Sequence, residues 1–355
     1  MNKIITFFLL LLVSLTIAGC VESSANSKQG LISGSGQPAK AAASNRAVPN
    51  KAQPDGKEPD TMQNNPPFTL ETKVNDVITD PAFRGYGRLI FPADRTMGSG
   101  LALKDVGDIL TWYNNVKPER TVEIVNYMKS QALQGQKIFY DIYTIEEKRK
   151  DPRKENTGLF FFRGKRGSPF AILNAGGGFS YVGAMHDSFP HALVLSKKGY
   201  NAFALIYRPN AQAACEDLAR AIAFVYTHAD ELQVAPDHYS LWGGSAGARM
   251  AAWLGSYGTK AFGEKDCPRP AAVIMQYTGL SEVFGNEPPT YNCVGTADWI
   301  ASSRTMEQRI RAIRANGTDG EIEIFPGLPH GFGLGEGTVA EGWINRAVSF
   351  WERQK

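Results

Sequence analysis

From about residue 136 to the C-terminus, short apolar runs rich in β-branched and aromatic residues alternate with stretches of helical periodicity. Runs such as "PFAILN", "NAFALIYR", "HYSLWGG" and "AAVIMQYTG" have the length of buried strands. Between them, "AACEDLARAIAFVYTHADEL" places Leu218, Ile222 and Val225 at helical spacing. Alternation of this kind calls for a mostly parallel sheet with helices on both faces, so the sequence predicts an α/β fold.

The N-terminal part of the chain lies outside this alternation. Residues 1–19 contain an early cation, an apolar stretch and a small-residue ending, which is typical of an export signal. The ending at Cys20 resembles the lipobox of bacterial lipoproteins, so we expect a lipidated Cys20, with an ordinary cleaved signal as the alternative. Because Val21 follows the cysteine rather than aspartate, the resemblance implies an exported protein, lipid-anchored in the cell envelope at the outer membrane or cell surface.

Residues 20–67 contain no aromatic residue between Val21 and Pro67, and this composition predicts a disordered tether. Two helix-like stretches follow, "LKDVGDILTWYNN" and "PERTVEIVNYMKSQAL". They are assigned to an N-terminal cap-like segment, residues 68–135, ahead of the α/β domain at residues 136–355. The formal net charge of +3 comes without a basic stripe, so nucleic acid is not an expected partner.

Three cysteines remain after Cys20: Cys215, Cys267 and Cys293. In an exported protein, Cys267 and Cys293 could form a disulfide, because both are expected near strand starts. Three reduced, partly buried thiols are the equally weighted alternative. No spacing of cysteine and histidine suggests a metal, and we expect neither metal nor cofactor.

One junction of strand, turn and helix carries a serine among glycines. Gly243 to Gly247, within "HYSLWGGSAGARMAAWL", fit the pattern G-x-S-x-G. A turn this sharp brings backbone segments so close that side chains would clash at the glycines, and it projects the hydroxyl of Ser245. The helix that follows aims its first N–H groups at any negative charge that develops there. The pentapeptide alone is weakly specific, but its setting makes Ser245 the candidate nucleophile.

A serine hydroxyl is a poor nucleophile without a base. His330 follows a strand in the Gly- and Pro-rich "FPGLPHGFG", downstream of Ser245, and is the predicted base. His186 is interpreted as a loop histidine, with a pocket-lining position as the alternative. The remaining histidines are expected in polar surface positions: His191, His228 and His238.

The base in turn needs a carboxylate that fixes its tautomer and stabilises the imidazolium. Asp298 lies just beyond the apolar strand "TYNCVG" and is the predicted partner; a turn or helix-capping aspartate is its alternative role. Asp319 and Glu287 are weaker candidates, because neither directly follows a strand in the right half of the sheet.

The glycines of "NAGGGF" follow another strand and offer N–H groups to an oxyanion. We assign this role to Gly177 and Gly178, with the N–H of Ala246 as a third donor. The donor glycines could equally be shifted by one position within the run of three. A phosphate cradle is the competing interpretation, but neither of its glycine motifs is present.

From about residue 168 onward, the chain resembles α/β-hydrolases of the acetyl-esterase/lipase group, near the acetylxylan-esterase-like branch. The resemblance rests on "NAGGGF", "GYNAFALIYR", "CEDLARAIAFVY", "LWGGSAG", "PPTYNCVGTAD" and "PGLPHGFGLG", in that order. It implies an α/β-hydrolase fold and a catalytic triad of Ser245, Asp298 and His330, in the chain order that this fold uses. Arg208 and Asp217 match structural positions. Asn174 and Arg249 depart from the usual residues; neither departure removes a catalytic group, but the resemblance alone does not establish the group's substrate preference for this chain.

These features predict a serine ester hydrolase that forms an acyl-enzyme on Ser245. Short-chain or acetyl esters, of small molecules or of extracellular glycans, are the expected substrates. A peptidase or thioesterase with the same triad stays open, as does a non-catalytic binding lipoprotein on a hydrolase scaffold. Trp112, Tyr113 and Tyr127 are interpreted as helix-packing residues rather than as stacking partners for sugar or aryl groups. The sequence does not indicate an oligomeric state.

Overall fold

The computed structural model describes residues 65–354. The predicted signal peptide, Cys20 and nearly all of the predicted tether lie outside the described residues. Within residues 65–354, no helix has the length and apolar character that a membrane crossing requires.

Eight strands form one sheet. In chain order they are β1 (Phe139–Tyr140), β2 (Gly158–Phe162), β3 (Pro169–Asn174), β4 (Asn201–Ile206), β5 (Ala235–Gly244), β6 (Ala272–Gln276), β7 (Thr290–Gly295) and β8 (Gly320–Phe325). Their order across the sheet is β1-β2-β4-β3-β5-β6-β7-β8. The neighbours from β4 to β8 run parallel, whereas β1 and β2 pair antiparallel at one edge. The mostly parallel sheet predicted from the alternation is confirmed.

The helices of the described residues connect and cover these strands. They are α1 (Val74–Ile78), α2 (Pro118–Leu133), α3 (Ile145–Lys150), α4 (Ala184–Asp187), α5 (Phe189–Lys197), α6 (Ala211–Thr227), α7 (Ala229–Leu232), α8 (Ala246–Tyr257), α9 (Ser303–Ala315) and α10 (Trp343–Arg353). Strands β4, β6 and β7 are buried along their whole length, which requires cover on both faces of the sheet. Helices α6 and α8 pack on each other, and α5 meets α10 where the rings of His191 and Trp343 lie 5.6 Å apart.

Two local predictions within residues 136–355 differ from the structure. The charged segment between β1 and β2, expected to be a loop, forms α3 and a 3-10 turn at Pro152–Asn156. A capping box begins α3, because Thr144 and Glu147 each accept a hydrogen bond from the other's backbone N–H. The stretch "MHDSFPHALVLSKKGY", expected as one helix, is split into α4 and α5 at Ser188.

The two N-terminal helix-like stretches adopt different structures. "PERTVEIVNYMKSQAL" forms α2 over its whole length, starting with Pro118 at the first position, where its missing N–H costs nothing. "LKDVGDILTWYNN" instead forms a 3-10 turn at Leu103–Ile109 followed by irregular chain. The irregular part, residues 110–115, runs to the edge of the sheet where the parallel strands end.

The predicted pairing of Cys267 with Cys293 is wrong: both are free thiols, and both are buried. Cys293 lies opposite Gln276, at the carboxyl end of β6, whereas Cys267 precedes the first residue of that strand. A disulfide needs Cα atoms within about 7 Å, and the length of β6 separates the two cysteines.

Arg208 and Asp217 form a buried ion pair between the end of β4 and helix α6, with Arg208 Nη2 2.8 Å from Asp217 Oδ1. The same carboxylate accepts hydrogen bonds from the backbone N–H of Arg208 at 2.7 Å and from the Tyr143 hydroxyl at 2.6 Å. These contacts agree with the structural role that the resemblance implies for the pair.

Candidate active site

Ser245 stands between the last residue of β5 and the first residue of α8, with φ 50° and ψ −114°. This conformation is strained for a residue with a side chain, and the surrounding packing holds it in place. A Cβ on Gly247 would lie 1.9 Å from the Asn174 carbonyl oxygen, and one on Gly243 would lie 2.3 Å from the Gly247 carbonyl carbon. Only glycine fits at these positions, so the local sequence makes the sharp turn possible.

The structure brings Ser245, His330 and Asp298 together in one hydrogen-bonded row. His330 Nε2 lies 3.1 Å from Ser245 Oγ, and His330 Nδ1 lies 2.7 Å from Asp298 Oδ2. His330 comes from the loop after β8, and Asp298 from the turn after β7. The side chains of His330 and Asp298 are 2% and 0% exposed, so water does not compete for the bond between them.

The carboxylate of Asp298 is itself held from behind. Its Oδ1 accepts hydrogen bonds from the backbone N–H groups of Ile300 at 2.8 Å and Ala301 at 2.7 Å. With Oδ1 occupied in this way, Oδ2 faces the imidazole. The alternative role as a turn-capping aspartate and the role as partner of His330 are therefore filled by the two oxygens of one side chain.

The glycine turn after β3 abuts the serine, because a Cβ on Gly176 would lie 2.9 Å from Ser245 Cβ. Gly177 and Gly178 have φ values of 126° and 62°, which side chains rarely tolerate. The N–H of Gly176 is already used, since it donates to Asp187 Oδ2 at 2.7 Å. The N–H groups of Gly177, Gly178 and Ala246 donate to no acceptor within residues 65–354 and remain available for an oxyanion.

Asp187 is a central residue of this region that the sequence analysis did not single out. It is 2% exposed and lies beneath both the glycine turn and the serine turn. Besides the Gly176 N–H, it accepts hydrogen bonds from the hydroxyls of Tyr113 and Tyr277. Burial raises its pKa to about 6, against the lowering effect of these hydrogen bonds and of His330.

The N-terminal segment 110–115 contacts the loop that carries His330. Asn114 Nδ2 donates to the His330 carbonyl oxygen at 2.7 Å, and Asn114 N donates to the Gly331 carbonyl at 2.9 Å. His186 Nε2 donates to the same Gly331 carbonyl at 2.9 Å. The backbone on both sides of the imidazole is therefore fixed by other parts of the chain.

Two histidine interpretations from the sequence are wrong. His186 lies in α4 rather than in a loop, and His191 is 2% exposed rather than at the surface. Burial lowers the pKa of His186 to about 4 and that of His191 to about 3, which keeps both rings neutral near pH 7. His238 is exposed, as expected, and His228 is half-buried.

The three aromatic residues named from the sequence have different surroundings. Tyr127 stacks on Phe162 with ring centroids 5.7 Å apart, which is a packing role. Tyr113 is the hydroxyl partner of Asp187. Trp112 is 39% exposed, has a φ of 73°, and stacks on Tyr181 at 5.9 Å. Its ring would lie 3.0 Å from a Cβ on Gly178, so it forms a partly exposed wall beside the glycine turn.

The other residues that the sequence singled out lie outside the hydrogen-bonded row of Ser245, His330 and Asp298. Asp319 is exposed and precedes β8, at the opposite edge of the sheet from His330. Glu287 accepts hydrogen bonds from the backbone N–H groups of Phe284 and Gly285 and so closes a local turn. Arg249 lies against Gly279, and its pKa is lowered by burial and partly restored by Glu282. Within residues 65–354, no group of three or more His, Cys, Asp or Glu side chains is placed to hold a metal ion.

Comparison with known proteins finds a solved structure with a similar fold. A structure of an acetyl ester-xyloside bifunctional hydrolase from Caldicellulosiruptor lactoaceticus matches with a TM-score of 0.50 at 23% identity, over 56% of this chain and 88% of that one. The chain has the α/β-hydrolase fold. The sheet order and the serine turn after β5 are the two features that the hydrolase fold requires here. The BD-FAE family model matches residues 163–284, a range that includes Ser245 but neither Asp298 nor His330.

Two further solved structures are similar to part of this chain. One is a thermophilic esterase from the planctomycete Thermogutta terrifontis, at 22% identity, a TM-score of 0.49 and coverage of 56% of this chain and 89% of that one. The other is a sugar hydrolase (YeeB) from Lactococcus lactis, at 20% identity, a TM-score of 0.48 and coverage of 56% and 94%. No curated protein sequence matches this chain.

Proposed function

We propose that this protein is a serine carboxylic-ester hydrolase. The observation that carries the proposal is the unbroken row from Ser245 Oγ through His330 to Asp298, beside backbone N–H groups that have no acceptor in residues 65–354. A nucleophile, a base, an orienting carboxylate and oxyanion donors are the groups that acyl transfer requires. These groups follow the carboxyl ends of β3, β5, β7 and β8, which lie at the same edge of the sheet.

The reaction begins when the Ser245 hydroxyl gives its proton to His330 Nε2 and its oxygen attacks the ester carbonyl carbon. The carbonyl π electrons move to oxygen, and the N–H groups of Gly177, Gly178 and Ala246 donate to the resulting oxyanion. Asp298 Oδ2 accepts the hydrogen bond from His330 Nδ1–H and stabilises the imidazolium. As the oxyanion collapses, the bond to the leaving oxygen breaks and that oxygen takes the proton from Nε2.

Water completes the cycle. His330 Nε2 removes a proton from a water molecule, whose oxygen attacks the acyl-enzyme carbonyl and forms a second oxyanion on the same donors. Collapse breaks the bond to Ser245 Oγ, which recovers its proton from His330, and the carboxylic acid leaves. The N-terminus of α8 favours both negative intermediates through its unpaired N–H groups.

Short-chain or acetyl esters, carried by a ring such as a sugar or an aryl group, are the proposed substrates. The exposed ring of Trp112 beside the glycine turn supports this, because it offers an apolar face to a flat group next to the scissile bond. The Caldicellulosiruptor protein, an acetyl ester-xyloside hydrolase by name, supports the same substrate class. Extracellular glycan esters fit the further proposal that the protein is exported and lipid-anchored at Cys20.

The test uses the full-length protein with p-nitrophenyl acetate, butyrate and octanoate, an acetylated xylo-oligosaccharide, a casein peptide substrate and an acyl-thioester. We expect ester hydrolysis and stoichiometric labelling of Ser245 by an organophosphonate, both lost in Ser245→Ala. Ser256→Ala is the matched control, because Ser256 lies on α8, the helix that Ser245 precedes, is fully buried and makes no side-chain hydrogen bond within the described chain. Peptide or thioester cleavage in preference to ester cleavage would contradict the ester assignment. Absence of both turnover and labelling would favour a binding lipoprotein.

A further inference from the structure

Asp187 is a buried carboxylate that takes no part in the reaction steps above. It ends the short helix α4 and forms no salt bridge within residues 65–354. Burying an unpaired carboxylate is unfavourable, and here burial raises its pKa to about 6. Because an apolar residue at this position would avoid the cost of burying a charge, we expect a role that only the carboxylate can fill.

Its hydrogen bonds join three separate parts of the chain. Asp187 Oδ2 accepts from the Gly176 N–H at 2.7 Å and from the Tyr113 hydroxyl at 3.1 Å. Oδ1 accepts from the hydroxyl of Tyr277, which follows β6 and lies with its ring 4.9 Å from that of His330. The carboxylate therefore links the glycine turn, the N-terminal segment and the strand end beside the base.

The carboxylate is also wedged against the serine turn. A Cβ on Gly244, the residue before Ser245, would lie 2.2 Å from Asp187 Oδ2, and one on Gly176 would lie 3.0 Å from the same oxygen. Gly244 is thus required because Asp187 occupies the space where a side chain would stand. One oxygen atom is in contact with both turns that build the site.

The bond to Gly176 fixes the first peptide plane of the glycine turn. Gly177 and Gly178 follow with positive φ values of 126° and 62°, conformations in which glycine retains wide freedom unless it is tethered. Holding the Gly176 N–H sets the direction of the next two N–H groups. A shift of these donors by a fraction of an ångström would weaken their bonds to the oxyanion.

We infer that Asp187 is a positioning residue that holds the oxyanion-binding turn in register with Ser245. This inference rests on the proposed function. It assigns to Asp187 a contribution to transition-state stabilisation that acts through Gly177 and Gly178, not through contact with substrate. Asparagine should replace it in part, since one side-chain oxygen can keep the bonds from Gly176 and Tyr113 while the amide nitrogen donates to the Tyr277 hydroxyl.

The test compares substrate turnover with the binding of trifluoroacetophenone, which forms a hemiketal oxyanion with a reactive serine. In Asp187→Ala we expect kcat to fall about 10- to 100-fold and the inhibition constant of the ketone to rise by a similar factor, with KM nearly unchanged. Asp187→Asn should recover most of both losses. Asp187→Ser, whose hydroxyl is too short to reach the Gly176 N–H, should behave like Asp187→Ala and serves where the alanine variant does not fold.

Asp217→Asn is the matched control, because Asp217 is also a buried carboxylate that accepts from one backbone N–H and one tyrosine hydroxyl. We expect it to lower the melting temperature without raising the inhibition constant of the ketone. The inference is overturned if Asp187→Ala and Asp187→Ser leave that constant unchanged, or if Asp217→Asn raises it equally. A wild type that binds the ketone through Ser245 yet hydrolyses no ester would contradict the proposed function, and the ketone comparison would still decide the role of Asp187.

Discussion

Replacing Asp187 by asparagine should change the way in which stability depends on pH. The pKa of this carboxyl is raised in the folded protein from 3.8 to about 6, chiefly by burial. A raised pKa means that the folded state binds the proton more tightly than the unfolded chain does. The stabilising contribution of the protonated carboxyl is therefore complete below about pH 3.8 and is lost as the pH rises through about 6.

The magnitude follows from the two pKa values. Between about pH 4.5 and about pH 8, wild type should lose about 2 kcal/mol of unfolding free energy through this one group. Asp187→Asn cannot lose it, since asparagine does not titrate. The stability of the variant relative to wild type should therefore rise by about 2 kcal/mol from the lower to the higher pH, whatever the constant offset from the altered hydrogen bonds.

The groups that act electrostatically on Asp187 are His330, Tyr113, Tyr277, Tyr181, Tyr207 and Cys293. Burial raises the pKa values of the four tyrosines and the cysteine, so these five stay neutral over this range. His186 and His191 destabilise the fold as pH falls, because their pKa values are lowered by burial, but they do so in both proteins. Taking the difference between variant and wild type removes their contribution.

Urea denaturation followed by tryptophan fluorescence at the two pH values gives the four free energies that are needed. Ser256→Ala, measured alongside, should show no change in its offset from wild type between the two conditions. A variant-to-wild-type difference that stays constant with pH, or falls as pH rises, would refute the burial argument for Asp187.

Four further outcomes can be checked with the same protein. Asp298→Asn should lower kcat about 10³- to 10⁴-fold, because the amide favours the wrong tautomer of its partner imidazole, while Asp319→Asn at the far edge of the sheet should leave steady-state rates unchanged. Trp112→Ala should raise KM for p-nitrophenyl acetate about five- to tenfold but change KM for methyl acetate little, and equal changes for both esters would contradict a stacking role. Gly244→Ala should lower kcat without removing Ser245, since its Cβ would overlap a carboxylate oxygen, as steady-state rates and phosphonate labelling together would show. Cys20→Ala should move the protein from the membrane fraction to the soluble fraction of expressing cells, and unchanged fractionation would refute lipid anchoring.

The parts of the site that could be predicted from the sequence are those marked by local patterns. Ser245 lies in a glycine pattern whose spacing already encodes the turn, and the structure gives each glycine a close backbone or side-chain neighbour. His330 and Asp298 each follow a strand of a parallel sheet, and the carboxyl ends of such strands meet at one edge. Because topology brings these ends together, residues far apart in sequence could be grouped before any coordinates were known.

Asp187 could not be found in this way. It stands in "MHDSFPHAL", where a helical pattern makes an aspartate look like an ordinary polar position, and nothing local indicates that the residue is buried. Its surroundings come from Gly176, Tyr113 and Tyr277, which are distant in sequence. The sole local signal is indirect: Gly244 before the serine needs an explanation, and that explanation is a neighbour that only the tertiary structure identifies.

Other differences have local causes. The capping box of α3, Thr144-x-x-Glu147, is present in the sequence and could have predicted a helix where the charge run suggested a loop. The cysteine pairing depended on strand register, which spacing along the chain does not give. Cys293 is the fourth residue of β7 rather than a residue near its start, and this difference places it at the far end of β6 from Cys267.

The role of the N-terminal segment, residues 110–115, follows from the groups with which it forms hydrogen bonds. Tyr113 donates to Asp187 beneath the glycine turn, and Asn114 donates to the carbonyls of His330 and Gly331. A lid would cover the site and leave its catalytic geometry intact when removed. Residues 110–115 instead supply hydrogen bonds to the two loops whose relative position sets the distance between base, nucleophile and oxyanion donors. The BD-FAE match begins at residue 163, after this segment, and ends at residue 284, before Asp298 and His330. The complete site is therefore a property of the whole of residues 110–330 rather than of the matched region alone.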